Sequence, residues 1–229
     1  MSAPGLPLAT VRVWDLPTRV FHWLLVLLVI GSVTSAKIGG GAMVWHFRCG
    51  YLVLALLTFR LLWGFVGGRW SRFASFVYAP AALLRYLRGQ STEGERHEVG
   101  HSPLGALSVF ALLALLAAQV GTGLLADDEI ANVGPLNRFV SGAVAGLATH
   151  WHKVYGEWLL WALVGLHVVA VLTYQLAKQR DLIGPMLRGD KRLPPGTPAS
   201  TDSVGTRLLA LVLLALALTL AGWVSRQGG

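Results

Sequence analysis

Seven histidines stand in this 229-residue sequence, and four of them fall inside long apolar runs: His22, His46, His152 and His167. An ionisable side chain in such a run is costly to bury. It marks either a functional position or a histidine hydrogen-bonded to a neighbouring helix. Imidazole ligates both zinc and haem iron. Zinc favours three or four ligands close together, often with Cys or carboxylate among them. These four histidines fall instead into two distant pairs. Two imidazoles filling both axial positions of a haem iron suit electron transfer rather than oxygen chemistry. The single cysteine, Cys49, and the absence of Cys-x-x-Cys-His exclude a covalently attached c-type haem. There is no Walker loop, no Gly-x-Ser-x-Gly and no His-Glu-x-x-His.

The surrounding chain is built for a membrane. It is 54% hydrophobic and 13% charged, with a mean hydropathy of +0.58, whereas soluble domains run near a quarter charged. Disordered chains, collagen-like chains and most soluble enzymes are thereby excluded. The net charge of +8 would suggest nucleic acid in a soluble protein. Here the basic residues sit between apolar runs, so membrane topology accounts for them and no nucleic-acid partner is expected.

Five runs approach or exceed the roughly 20 residues a bilayer demands. They lie near 19–36, 44–66, 103–125, 152–177 and 205–224. The first could be read as a cleavable signal, with Arg12 and Arg19 ahead of it and Thr34-Ser35-Ala36 at its end. Its late start and the short link to the next run favour a retained helix in a hairpin. Basic residues collect before span 1, between spans 2 and 3, and between spans 4 and 5, which predicts a cytoplasmic N-terminus and a periplasmic C-terminus in a bacterial inner membrane. Residues 73–87 and, more weakly, 137–148 read as interfacial helices. The Pro/Gly-rich stretch 193–204 reads as a linker. The expected fold is an all-α integral membrane protein: a four-helix haem-binding bundle over 1–192, a linker over 193–204, and an appended fifth transmembrane helix with a short tail over 205–229.

This orientation sorts the histidines by depth. His22 and His167 fall toward the cytoplasm, and His46 and His152 toward the outside. The 15 residues from His152 to His167 amount to roughly 22 Å of helix and about 60° of rotation, so both lie on one face. Gly50 and Gly156 each follow a histidine by four residues, which leaves room on the same face for a porphyrin. Arg19 and Arg48 lie near the two levels, where they could pair with haem propionates. His97 and His101, in the basic loop, and His150, at the outer boundary, read as solvated residues.

Several motifs together resemble the prokaryotic cytochrome b561 family, which includes b-type subunits of nickel–iron hydrogenases. They are Trp14-Asp15-x-Pro17-x-Arg19-x-x-His22-Trp23, His46, Gly50-Tyr51, Arg60-x-x-Trp63-Gly64, Arg72-Phe73 and His101-Ser102-Pro103-Leu104-Gly105. His152, His167, Leu182-Ile183-x-Pro185-Met186 and Gly189-Asp190-Lys191 complete the pattern. The resemblance implies a four-helix core with two b haems and electron exchange with membrane quinone. It pairs His22 with His167 and His46 with His152. Many members of the family space the two histidines of span 4 by 14 residues rather than 15, which keeps His150 open beside the preferred His152.

The expected function is transmembrane electron transfer between quinone and a redox partner. Two rivals are a haem-bearing anchor subunit of a larger oxidoreductase such as a hydrogenase, and a histidine-based ion or proton transporter. Asp127, Asp128 and Glu129, in the longest outer loop, read either as a docking surface for a basic partner such as a periplasmic cytochrome c or as acids that keep the loop outside or cap a helix.

Overall fold

The computed structural model describes residues 7–90 and 99–228; His97 lies outside them. Asp15 opens the first transmembrane helix, α1 (Leu16–Ile38), by accepting the amide of Thr18, with a proline in the first turn. The tight link at Gly39 and Gly40, both at positive φ, turns the chain into α2 (Met43–Val66). The amphipathic stretch that follows is a single 3₁₀ turn at Phe73–Ser75 and then α3 (Pro80–Leu87). Ser102 caps α4 (Pro103–Leu125) through the amide of Gly105.

Span 4 is longer than its apolar run. It starts at α5 (Gly142–His150), passes through a π-helical turn at Trp151–Tyr155, and continues as α6 (Gly156–Leu172). It ends in a second π turn at Thr173–Ala177. The expected interfacial segment 137–148 is thus mostly the first turns of this helix, capped by Ser141. A short helix, α7 (Ile183–Arg188), precedes the last transmembrane helix, α8 (Val204–Ser225). Among the described residues five helices are long and apolar enough to cross a membrane, and the protein is a multi-pass membrane protein.

One end of the bundle carries a small antiparallel ribbon. Strand β1 (Ala9–Arg12) pairs with β2 (Asp190–Leu193), Ala9 facing Leu193 and Arg12 facing Asp190. Gly189, at φ 94°, turns the chain into this pairing, and its carbonyl accepts the amides of Val13 and Trp14. The opposite end carries the 126–141 loop. We call the two the ribbon end and the loop end.

The segment read as a linker is docked across the ribbon end. Ser200 is buried; its hydroxyl donates to the Val13 carbonyl and its amide to that of Arg12. The Trp70 indole donates to the Pro198 carbonyl. Asp202 bridges Arg12 and Arg207. Proline and glycine here shape a path over a surface rather than a free tether.

The fifth helix is likewise part of the core. Ala210, Ala217 and Ala221 of α8 pack into one cluster with Phe21 of α1 and with Ala55, Leu56, Phe59 and Trp63 of α2. Small residues let the helix backbones approach closely, which is how membrane helices gain contact without a hydrophobic driving force. Ala217 is 1% exposed. Ala217→Leu is expected to lower stability by about 1–3 kcal/mol through overpacking. Leu211→Ala, at an exposed position, should change it by less than about 0.5 kcal/mol. Thermal unfolding of the two variants in detergent measures the difference.

Candidate functional site: two histidine levels in the bundle

At the loop end, His46 of α2 meets His152 of the π turn. Their ring centres are 5.8 Å apart, with planes at 81°. Each ring is held from behind. His46 Nδ1 lies 3.0 Å from the Ser32 carbonyl and 3.1 Å from its hydroxyl, on α1. His152 Nδ1 lies 2.8 Å from the Gln119 carbonyl on α4. A backbone carbonyl on Nδ1–H fixes the tautomer and leaves Nε2 as the ligand atom. The Gln119 side-chain amide donates to the His152 carbonyl at 3.2 Å, tying the π turn to α4.

Three glycines matter here for different reasons. A Cβ on Gly123 would lie 2.8 Å from His152 Cε1, so this glycine makes room for the ring. A Cβ on Gly156 would overlap the Gln119 side-chain oxygen, so Gly156 seats Gln119 rather than opening space beside the histidine. Gly50 has open space where its Cβ would be, and it lines a cavity of about 490 Å³ together with His46, His152, Lys37 and Glu157. That volume falls within the range of cofactor and small-ligand sites, about 300–1,000 Å³. Lys37 and Glu157 form an ion pair at this level.

The π turn also accounts for the 15-residue spacing. A π turn closes i to i+5 and so takes up one residue more than an α turn. Fifteen residues through it cover what 14 cover in regular helix, leaving the two histidines roughly 40° from alignment. His150 points elsewhere: it is exposed, and its ring packs against Tyr155 at 5.0 Å.

At the ribbon end, His22 of α1 and His167 of α6 lie within electrostatic reach of each other. His22 Nδ1 is buried with no hydrogen-bond partner. His101, expected in solvent, lies in this region instead. Its ring packs 4.7 Å from Trp14 and 4.4 Å from Phe76, and its Nδ1 is buried without a partner. Burial, reinforced by Arg60 and then His167, pushes its pKa down to about 3, so the ring is neutral. His101 is buried because the segment after α2 packs against the start of α4, with the Tyr78 hydroxyl donating to the His101 carbonyl at 2.7 Å.

Between the two levels lies an apolar layer. Leu115 and Leu116 of α4 and Leu160 of α6 are buried there, packed by Leu25, Val29 and Val33 of α1 and Leu57 of α2.

The two arginines singled out from sequence differ in their surroundings, and the Nε of Arg19 is buried without a hydrogen-bond partner. Arg48 is exposed and lies over the Trp45 ring at 4.8 Å. Arg19 donates to the Leu187 carbonyl at 2.6 Å. In the loop-end acidic cluster, Asp127 accepts the amide of Glu129. Asp128 accepts the side-chain amide of Asn132 at 2.6 Å and the backbone amides of Asn132, Ala131 and Ile130, and these bonds, the side-chain one first, hold its carboxyl well below the usual range. Both carboxylates thus brace their own loop.

Residues 13–189 match the family model of prokaryotic cytochrome b561. The chain belongs to the prokaryotic cytochrome b561 family. This cytochrome is a membrane haem b protein of electron transport. Its relatives include the probable Ni/Fe-hydrogenase B-type cytochrome subunit of Bradyrhizobium diazoefficiens, 25% identical over 83% of this chain and 88% of the relative. The probable Ni/Fe-hydrogenase 1 B-type cytochrome subunit of Escherichia coli K12 is 25% identical over 77% of this chain and 88% of the relative. The corresponding subunit of Azotobacter vinelandii is 28% identical over 78% and 87%. No solved structure matches the chain.

The residues around the histidines that sequence reasoning did not single out are Ser32, Gln119 and Gly123. Ser32 and Gln119 act through a backbone carbonyl with a side-chain contact beside it, and Gly123 through the absence of a side chain, which no motif announces. In this cytochrome Gly123→Val is expected to displace the His152 ring. The haem b signal should then fall or shift in part to high spin, as an absorption spectrum of the reduced and oxidised protein would record.

Proposed function

We propose that the cytochrome carries electrons across the membrane between quinone and a redox partner, using two bis-histidine b haems at two depths. The observation that carries the reading is the His46–His152 pair: ring centres 5.8 Å apart, both Nδ1 atoms on carbonyls, beside a cavity. One metal atom bonded at about 2 Å to each Nε2 places two such ring centres about 6 Å apart, so the residues fit a haem iron. His46 and His152 would hold one haem, and His22 and His167 the other. Bound haem supplies reversible one-electron chemistry.

The chain's own part is to fix these ligands and keep the path dry. Leu115, Leu116 and Leu160 pack into an apolar cluster inside the bundle, an environment costly for an ion. That supports electron passage over the rival reading of ion transport. The positive-inside pattern supports the ribbon end, the N-terminus included, as cytoplasmic and the loop end as periplasmic in a bacterial inner membrane.

A second reading concerns the partner. Relatives bear the name of hydrogenase cytochrome subunits, which supports a nickel–iron hydrogenase as the redox partner and this chain as its membrane anchor. Copurification from native membranes separates that reading from a stand-alone carrier. A basic partner such as a periplasmic cytochrome c has less support, because Asp127 and Asp128 are engaged in their own loop.

Haem-to-protein ratio with a redox titration tests the proposal. Two low-spin b haems per chain are expected, both oxidised by quinone. A single haem, or high-spin iron at either level, would overturn it.

A further inference from the structure

On α2, Arg60 follows His46 by 14 residues. That is about 21 Å along the helix and roughly 40° short of four full turns. Arg60 therefore sits on nearly the same face as His46, one level down, at the depth of His22 and His167. It is 3% exposed, and its Nη1 is buried with no hydrogen-bond partner. Its guanidinium stacks over the Phe73 ring at 4.7 Å, which supports the cation but does not neutralise it. The carboxylate that acts on it, Asp15, is already taken. Asp15 accepts from the Thr18 and Gly68 amides, the Trp63 indole and the Ser71 hydroxyl, and it makes no ion pair with Arg60 among the described residues. His101, in electrostatic reach of both Arg60 and His167, has a second orphaned nitrogen.

A guanidinium removed from water without a counter-charge is strongly unfavourable. An imidazole nitrogen and an arginine fork, both buried without partners and within electrostatic reach of each other, form a site for a carboxylate. Haem b carries two carboxylates. We propose that Arg60 and His101 form the anion site that binds a propionate of the ribbon-end haem. This rests on the two-haem reading above, and it adds a propionate site to the one expected at Arg19, whose Nε is also buried without a partner.

Arg60 holds positive charge beside the porphyrin, so its loss favours the oxidised haem. The test compares purified wild type, Arg60→Gln, Arg60→Lys and His101→Phe. Each is loaded with haem carrying ¹³C-labelled propionates and followed by redox titration and infrared difference spectroscopy. In Arg60→Gln one haem should lose at least about tenfold in its reduction equilibrium, a fall of about 59 mV for one electron. The loop-end haem should hold its potential. The labelled carboxylate band of the affected haem should shift in Arg60→Gln and in His101→Phe, and Arg60→Lys should recover most of the potential. Should Arg60→Gln not accumulate, Arg60→Lys carries the test through its band shift alone, because a lysine cannot reproduce the fork.

Unchanged potentials and unchanged carboxylate bands in the variants overturn the proposal. So does a result in which only the response of the haems to an added quinone analogue is lost, which would assign the site to a quinone carbonyl. One haem in wild type would instead overturn the two-haem reading, so the two failures are distinguishable.

Discussion

His167→Ala is expected to halve the haem content, from two per chain to one. His22 and His167 come from different helices to one level, and the other pair lies beyond an intervening apolar layer. On the two-haem reading, loss of one axial imidazole should release the ribbon-end haem. His46 and His152, each anchored by a carbonyl on a third helix, should keep theirs with an unaltered low-spin spectrum. His22→Ala should give the same product, whereas His46→Ala and His152→Ala should give the complementary one. Pyridine haemochrome analysis with spectra of both redox states reads this directly. If His167→Ala and His152→Ala removed the same spectral component, the pairing by level would be wrong.

Asp15→Ala should cost stability rather than cofactor chemistry, and by at least about 3 kcal/mol. Asp15 is fully buried. Its two oxygens take the Thr18 amide at 2.8 Å, the Trp63 indole at 3.2 Å, the Gly68 amide at 2.9 Å and the Ser71 hydroxyl at 2.8 Å. Alanine strands four donors in the interior, and each unsatisfied buried group costs about 1–3 kcal/mol. Asp15→Asn keeps one acceptor and should fall between alanine and wild type. The unfolding midpoint of the purified protein, with the yield of monodisperse material, measures the ranking. A midpoint for Asp15→Ala within a degree of wild type would show that these bonds do not hold the ribbon end together.

Asp15 also shows what the motifs encode. Trp14-Asp15-x-Pro17, Arg60-x-x-Trp63-Gly64 and Gly189-Asp190 are separated in sequence but meet at one end of the bundle. There Asp15 caps α1, the Trp63 indole reaches it, Gly64 admits the Phe73 ring, and Gly189 turns β2 onto β1. Much of the motif is a scaffold for the ribbon end, with His22 and Arg60 set among it. The helices and the depth of the four histidines were legible because apolar length and charge placement act one residue at a time. The ribbon was not, because four-residue strands far apart in the chain leave no periodic signal. His101 was misplaced because its burial depends on how a loop folds back, and local composition described only the basic residues around it. The docking of 193–204 and of α8 depends on alanine and serine contacts, which resemble those of any flexible or lipid-facing segment until a partner is present.

The pairing of β1 with β2 also orders events during synthesis. Arg12 binds Asp190 across 178 residues of chain. At roughly 5–20 residues per second, the ribosome needs roughly 9–36 s to make the second partner after the first. Throughout that time the N-terminal segment has no strand to pair with, while the helices that carry all four histidines enter the bilayer. The ribbon end can therefore close only after span 4 has been inserted. Until then the ribbon that borders the interior around His22, Arg60 and His167 is not in place. Assembly thus leaves an interval in which a large planar cofactor can enter through the ribbon end before the polypeptide seals it in.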